Sequence, residues 1–136
     1  MEEVKSIKIH PDIWNLLSFA TSEKNINQEY NSYMKLPTRK FYSYCLADEN
    51  VGCIGIELFR PRQCEIKHIA VSPKRRNNNV GTKMINFILE KYAFETVLAE
   101  TDSDAVNFYR NYGFEISSLG EKYPGVERFR CVLINE

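Results

Sequence analysis

No stretch of this 136-residue sequence comes near the ~20 consecutive apolar residues that a membrane-crossing helix needs, so no such span is expected. Charge of one sign is lacking too. Eighteen Lys and Arg are balanced by 18 Asp and Glu, which leaves no global field to draw the chain to nucleic acid or to a membrane surface. Cysteine pairs are missing: Cys45, Cys53, Cys64 and Cys131 form no CxxC and sit in apolar, strand-like surroundings. They read as small buried hydrophobes of a reduced, cytoplasmic protein. With only His10 and His68, neither spaced against a cysteine pair, no zinc or other metal site is expected. The start, MEEVKSIKIHP, is acidic and then alternating, unlike a secretory leader. The dinucleotide fingerprint GxGxxG is absent. A nucleotide P-loop also fails, because Arg76 stands at its first glycine position and Gly81 is followed by Thr82 and then Lys83. No repeat, linker or low-complexity tract divides the chain, so one domain over residues 1–136 is expected.

What the chain does have is one stretch on which chemistry converges, CEIKHIAVSPKRRNNNVGTKMINFIL from Cys64 to Leu89. Cys64 to Val71 is β-branched and apolar, which predicts a strand ended by Pro73, since proline removes a ladder donor. Alternation predicts Glu65, Lys67, Ile69 and Val71 on one face and Ile66, His68 and Ala70 on the other. After a basic, Asn-rich turn, Met84, Ile85, Ile88, Leu89 and Tyr92 recur at helical spacing, so a helix is expected from near Asn79 to about Lys91. Strand, polar loop and helix start aim backbone N–H groups and the positive end of a dipole at one spot, which suits a phosphate. Arg75 and Arg76 stand where charge-assisted contacts would add to it. The competing reading of Lys74, Arg75 and Arg76 is a solvated loop.

Elsewhere, Val4, Ile7 and Ile9 predict a first strand, and His10-Pro11-Asp12 opens a helix with Ile13, Leu16, Leu17 and Ala20 on one face. A short helix is expected from Asn27 to Met34, then a loop through Pro37. Phe41 to Ala47 and Val51 to Phe59 predict a hairpin, and Thr96 to Glu100 a short strand. Thr101 to Asp104 supply cap residues for a helix through Tyr112 that ends on Gly113. Phe114 to Ser118 and Phe129 to Ile134 read as strands, the last a candidate exposed edge. Hairpins come early and helix crossovers late, so the expectation is an α/β (α+β) domain with a mixed sheet.

Arg76-Asn77-Asn78-Asn79-Val80-Gly81, following Val71-Ser72-Pro73, resembles motif A of the GNAT N-acetyltransferase superfamily, (Arg/Gln)-x-x-Gly-x-(Gly/Ala), with Asn79 in place of the first motif glycine. Asparagine enters the left-handed backbone region routinely, which keeps the turn accessible. Ala105-Val106-Asn107-Phe108-Tyr109-Arg110-Asn111-Tyr112-Gly113-Phe114 resembles the superfamily's carboxy-terminal signature, Ala-x-x-Phe-Tyr-x-x-x-Gly-Phe. The two motifs stand in the usual order and cover Cys64 to Phe114. The resemblance implies a bent mixed sheet of about six or seven strands with helices on both faces, splayed between its fourth and fifth strands, those starting at Cys64 and Thr96. It implies acetyl-CoA as co-substrate, its pantetheine and thioester carbonyl against free amides of Ile69, Ala70 and Val71. The pyrophosphate would lie on Arg76, Asn77, Asn78, Asn79, Val80, Gly81 and Thr82. The Tyr109 hydroxyl would point at the coenzyme A sulfur as a general acid.

Acetyl transfer also requires a neutral amine and donors for the developing oxyanion. Counting back from Arg76, Glu65 falls where similar histone acetyltransferases carry a catalytic glutamate and arylalkylamine acetyltransferases a histidine. Glu65 is therefore the first candidate base, acting directly or through water. Burial would need to raise its carboxyl by roughly 2 units from about 4. The competing reading is a surface glutamate at a strand start. His68 has the more suitable pKa but the opposite face, where a half-buried structural histidine is expected. Asp102 stands where many relatives have a cofactor-contacting asparagine, and a cap is its simpler role. The expectation is an acetyl-CoA-dependent N-acetyltransferase acting on a primary amine, of a small molecule given the short chain and the lack of an acidic groove motif. A protein N-terminal or lysine acetyltransferase and a non-catalytic acyl-CoA-binding sensor are the alternatives. No nucleic acid or membrane partner is expected; monomer and homodimer both stay open.

Overall fold

The computed structural model describes residues 1–135. One mixed sheet contains β1 (Glu2–Glu3), β2 (Arg39–Leu46), β3 (Glu49–Arg60), β4 (Gln63–Val71), β5 (Thr96–Asp102), β6 (Glu115–Tyr123) and β7 (Val126–Ile134), in the spatial order β1-β2-β3-β4-β5-β7-β6. The helices are α1 (Pro11–Leu17), α2 (Glu23–Lys35), α3 (Val80–Tyr92) and α4 (Val106–Tyr112). Neighbouring strands are antiparallel except β4 and β5, which run parallel and are joined by the α3 crossover. Helices cover both faces. Ile13, Leu17, Ile26 and Tyr33 of α1 and α2 pack with Phe41, Cys53 and Ala70 on one side. Met84, Ile85, Ile88 and Tyr109 of α3 and α4 pack with Ile54, Ile56, Ile66 and Val97 on the other.

Several sequence expectations need correction. The Val4 N–H still bonds Phe41 O at 2.8 Å, but the chain then leaves the sheet and Ile7 ends 88% exposed, so residues 4–9 form no strand. Val4, Ile7 and Ile9 do not share a two-residue period and cannot all bury on one sheet face. The second helix runs over Glu23–Lys35 rather than 27–34, because Ile26, Tyr30 and Tyr33 form a buried stripe at helical spacing. The last strand is not an edge: β7 lies between β5 and β6, and β6, which extends to Tyr123, is the outer strand. Cys53, Cys64 and Cys131 are buried as expected, whereas Cys45 is exposed beside the β2–β3 turn.

The correction that matters most concerns the faces of β4. Cys64, Glu65 and Ile66 pair with Leu58, Glu57 and Ile56, while His68 to Val71 pair with Gly55 to Gly52, which leaves Lys67 as an extra residue. Such a bulge reverses the alternation beyond it. Glu65 and His68 consequently share the α1/α2 face, whereas Ile66, Ile69 and Val71 share the α3 face. The strict alternation read from the sequence therefore fails at Lys67.

β4 and β5 pair from Gln63↔Thr96 to Ile66↔Ala99 and then part. β5 continues to pair with β7 as far as Asp102↔Arg128, while β4 beyond the bulge has no strand on its β5 side. The splay between fourth and fifth strands is present.

Candidate active site

A cavity of about 630 Å³ opens where β4 and β5 part, in the ~300–1,000 Å³ range of small-molecule sites. One end of it is built by the turn after β4. Pro73–Arg75 makes one 3-10 turn, and Asn79, at φ 58° and ψ 27°, enters the left-handed region and caps α3. The asparagine thus adopts the conformation for which the motif uses glycine. The N–H groups of the first turn of α3 have no intrahelical acceptor, so they are free for an anion. Gly81 lets α3 start tight against α4: a Cβ there would stand 2.9 Å from the Phe108 ring. Arg76 folds back, its Nε donating to Val71 O at 3.3 Å and its guanidinium 5.2 Å from the centre of the Phe19 ring.

Tyr109 forms part of the wall, 4% exposed and edge-on to Phe108 and Phe114. α4 delivers it there and then stops at Gly113, whose φ of 122° lets Phe114 turn back beneath the ring. Among the described residues no buried side-chain polar atom lacks a partner and the Tyr109 hydroxyl has none, so that hydroxyl is open to the cavity its residue lines. Burial pushes the phenol well above its ordinary value, with the neighbouring Cys131 thiol adding to the effect, so it holds its proton.

His68 lines the cavity from the α1/α2 side and is buried, its Nδ1 2.5 Å from the Tyr33 hydroxyl. Burial raises the Tyr33 phenol and lowers the His68 imidazole, so both stay neutral near pH 7. The Tyr33 hydroxyl and Nδ1 share one hydrogen bond, which fixes the imidazole ring against α2. Asp102 accepts at Oδ1 from the N–H groups of Asp104 and Ala105 at 3.0 and 3.2 Å, which closes the turn leading into α4, whose own N-cap is Ala105 without a side-chain bond.

Of the residues singled out from the sequence, Ile69, Ala70, Val71, Arg76, Asn79, Gly81, Thr82 and Tyr109 meet around this cavity. Asn77 and Asn78 stand exposed on the turn, and Val80 is buried in the core under α3. Glu65 does not line the cavity; it lies behind Lys67, with its Oε1 3.5 Å from Lys67 Nζ. Sequence reasoning singles out none of Phe19, Lys67, Glu100 and Arg128, which all line it. It looks for the acceptor pocket in residues 15–40, the hairpin and the loop around Tyr123 to Arg128, where Phe19 and Arg128 lie. Glu100 and Lys67 border the point where the strands part, and that position was a usable signal. Phe19 and Arg128 lie in segments without any motif.

The family model described as an acetyltransferase (GNAT) domain matches residues 37–116. An uncharacterized N-acetyltransferase in the lysA 3' region of Bacillus methanolicus is 25% identical over 93 residues, which is 66% of this chain and 78% of that protein. Among solved structures, an aminoglycoside 6'-N-acetyltransferase complexed with coenzyme A is similar at a TM-score of 0.80 and 18% identity, over 98% of this chain and 97% of that one. A GNAT family acetyltransferase from Elizabethkingia anophelis with acetyl-CoA bound is similar at a TM-score of 0.75 and 18% identity, over 98% and 96% of the two chains. With both motifs, the splayed sheet and the family model in agreement, the chain belongs to the GNAT family of acetyltransferases.

Proposed function

We propose that this acetyltransferase moves the acetyl group of acetyl-CoA to a primary amine of a small molecule, within one domain that works in the cytoplasm. One observation carries the reading. The cavity has a free helix start at Asn79 to Thr82 at one end, suited to a diphosphate, and the Tyr109 hydroxyl in its wall. Its volume of about 630 Å³ suits a small acceptor. No helix among the described residues is long and apolar enough to cross a membrane.

In the reaction the amine nitrogen attacks the thioester carbon, a C–N bond forms, the C–S bond breaks, and sulfur leaves as a thiolate. Amides on the unpaired side of β4 near Ile69 to Val71 supply donors for the oxyanion. Because burial holds the Tyr109 phenol above a thiol in pKa, its role is to donate a hydrogen bond to the thiolate rather than surrender the proton. The amine proton travels through water to Glu65, since Lys67 stands between that carboxylate and the cavity. His68, which burial keeps neutral, lines the cavity bound to Tyr33.

A thermal-shift experiment with acetyl-CoA, followed by thiol release across a panel of amines, tests the reading. Acetyl-CoA at 100 times its Kd stabilises by about 2.7 kcal/mol through mass action. A melting temperature that acetyl-CoA leaves unmoved, together with no thiol release, would sink it.

A further inference from the structure

We infer that the acetyl acceptor carries a carboxylate in addition to its amine, and that Arg128 binds that carboxylate. This rests on the acetyltransferase reading and names its substrate class.

Cross-strand partners share a face of the sheet, and β5 pairs with β7 through Glu100↔Arg130 and Asp102↔Arg128. Val97, Ala99 and Cys131 face α3 and α4, so Glu100, Asp102 and Arg128 belong to the opposite face, from which His68 also lines the cavity. This is the side away from Tyr109 and the start of α3, and so the side that acetyl-CoA bound there would leave to the acceptor. Four charged side chains line the cavity there: Lys67, Glu100, Asp102 and Arg128.

Three of the four are engaged. Lys67 Nζ lies 3.5 Å from Glu65 Oε1, and Glu100 Oε1 lies 3.3 Å from Lys122 Nζ. Asp102, the cross-strand partner of Arg128, accepts at Oδ1 from the N–H groups of Asp104 and Ala105 in the turn before α4 and forms no ion pair within 4.0 Å among the described residues. Arg128 is half-buried and, among the described residues, has no carboxylate oxygen within 4.0 Å. A guanidinium presents a planar fork of donors that matches a carboxylate two bonds at a time. A cavity wall that keeps such a fork without a counter-ion selects an acceptor that supplies one.

Thiol release is measured for the protein amino acids and for their carboxamides, with O-phosphoethanolamine and kanamycin as further arms. Acids are expected to exceed their amides by at least about 10-fold in kcat/KM, the scale of a charge-assisted contact. R128Q is expected to raise KM for the acids by about 10- to 100-fold and bring the acid-to-amide ratio near one. R128K is expected to recover part of the ratio, and both variants to retain the thermal shift with acetyl-CoA. Equal rates for acids and amides, a preference for O-phosphoethanolamine or kanamycin, or a ratio untouched by R128Q overturns the proposal alone. Acetyl-CoA stabilisation with no thiol release from any amine overturns the acetyltransferase reading and the proposal with it.

Discussion

The phenol oxygen of Tyr33 stands 2.5 Å from Nδ1 of His68, over the bare α-carbon of Gly55. Gly55 is the cross-strand partner of His68, and a Cβ on it would collide with the Tyr33 hydroxyl and ring. The pair ties α2 to the cavity floor, and a missing side chain makes room for it.

G55A is therefore expected to destabilise the protein by about 1–3 kcal/mol through overpacking. In a Y33L background, where the colliding ring is gone, the same change should cost less. Urea unfolding of the two single variants and the double variant measures this coupling directly. Additive losses would mean that the ring and the glycine do not depend on one another.

The buried His68 gives the fold an acid-sensitive point. Its folded pKa lies below the ordinary value of about 6.5, so just below that pH the unfolded chain binds the extra proton. The stability it contributes is complete above about pH 6.5 and is lost as pH falls from there through the folded pKa. Melting curves between about pH 7.5 and pH 5 should fall less steeply for H68Q than for the unmodified protein.

Asn79 at φ 58° is a position where the family motif has glycine. N79G should leave stability nearly unchanged, whereas N79A should cost about 1 kcal/mol by placing an ordinary Cβ in the left-handed region. Both should be read by denaturant unfolding, and by acetyl-CoA titration for any accompanying loss of affinity.

Y109F should keep the acetyl-CoA dissociation constant and lower kcat by about 10- to 100-fold, the loss of one donor to the leaving thiolate. Because the phenol is raised, the pH profile of kcat should show no descending limb from this group below about pH 10. Unchanged turnover in Y109F would remove the tyrosine from the chemistry.

E65Q tests the route through water. It is expected to lower kcat/KM by about 100-fold near neutral pH, where most of the amine is protonated. The deficit should shrink as pH approaches the amine's own pKa, because the acceptor then loses its proton without help. A constant deficit at every pH would point instead to the lost Lys67 ion pair.

Much of the fold is legible in the sequence because its signals are local. The stripe of Met84, Ile85 and Ile88, the Pro73 stop and the Gly113 cap each act within a few residues. So does the αL turn at Asn79, which needs only an asparagine in the right place. The missed stretches lacked such signals. Nothing in QCEIKHIAV marks Lys67 as surplus, since the bulge exists only when that strand is laid against β3.

The amino-acid sequence by itself determined the two motif segments, their order, and hence the polar turn and the tyrosine helix that flank the cavity. Tertiary structure alone decided which side chains face one another across it. It turned Glu65 to the α2 face and behind Lys67, joined His68 to Tyr33, and brought Arg128 opposite β4 by inserting β7 between β5 and β6. The physical reason is that a turn or a cap is an interaction between neighbours in the chain. Register, bulge and strand order are instead chosen by contacts between residues far apart along it.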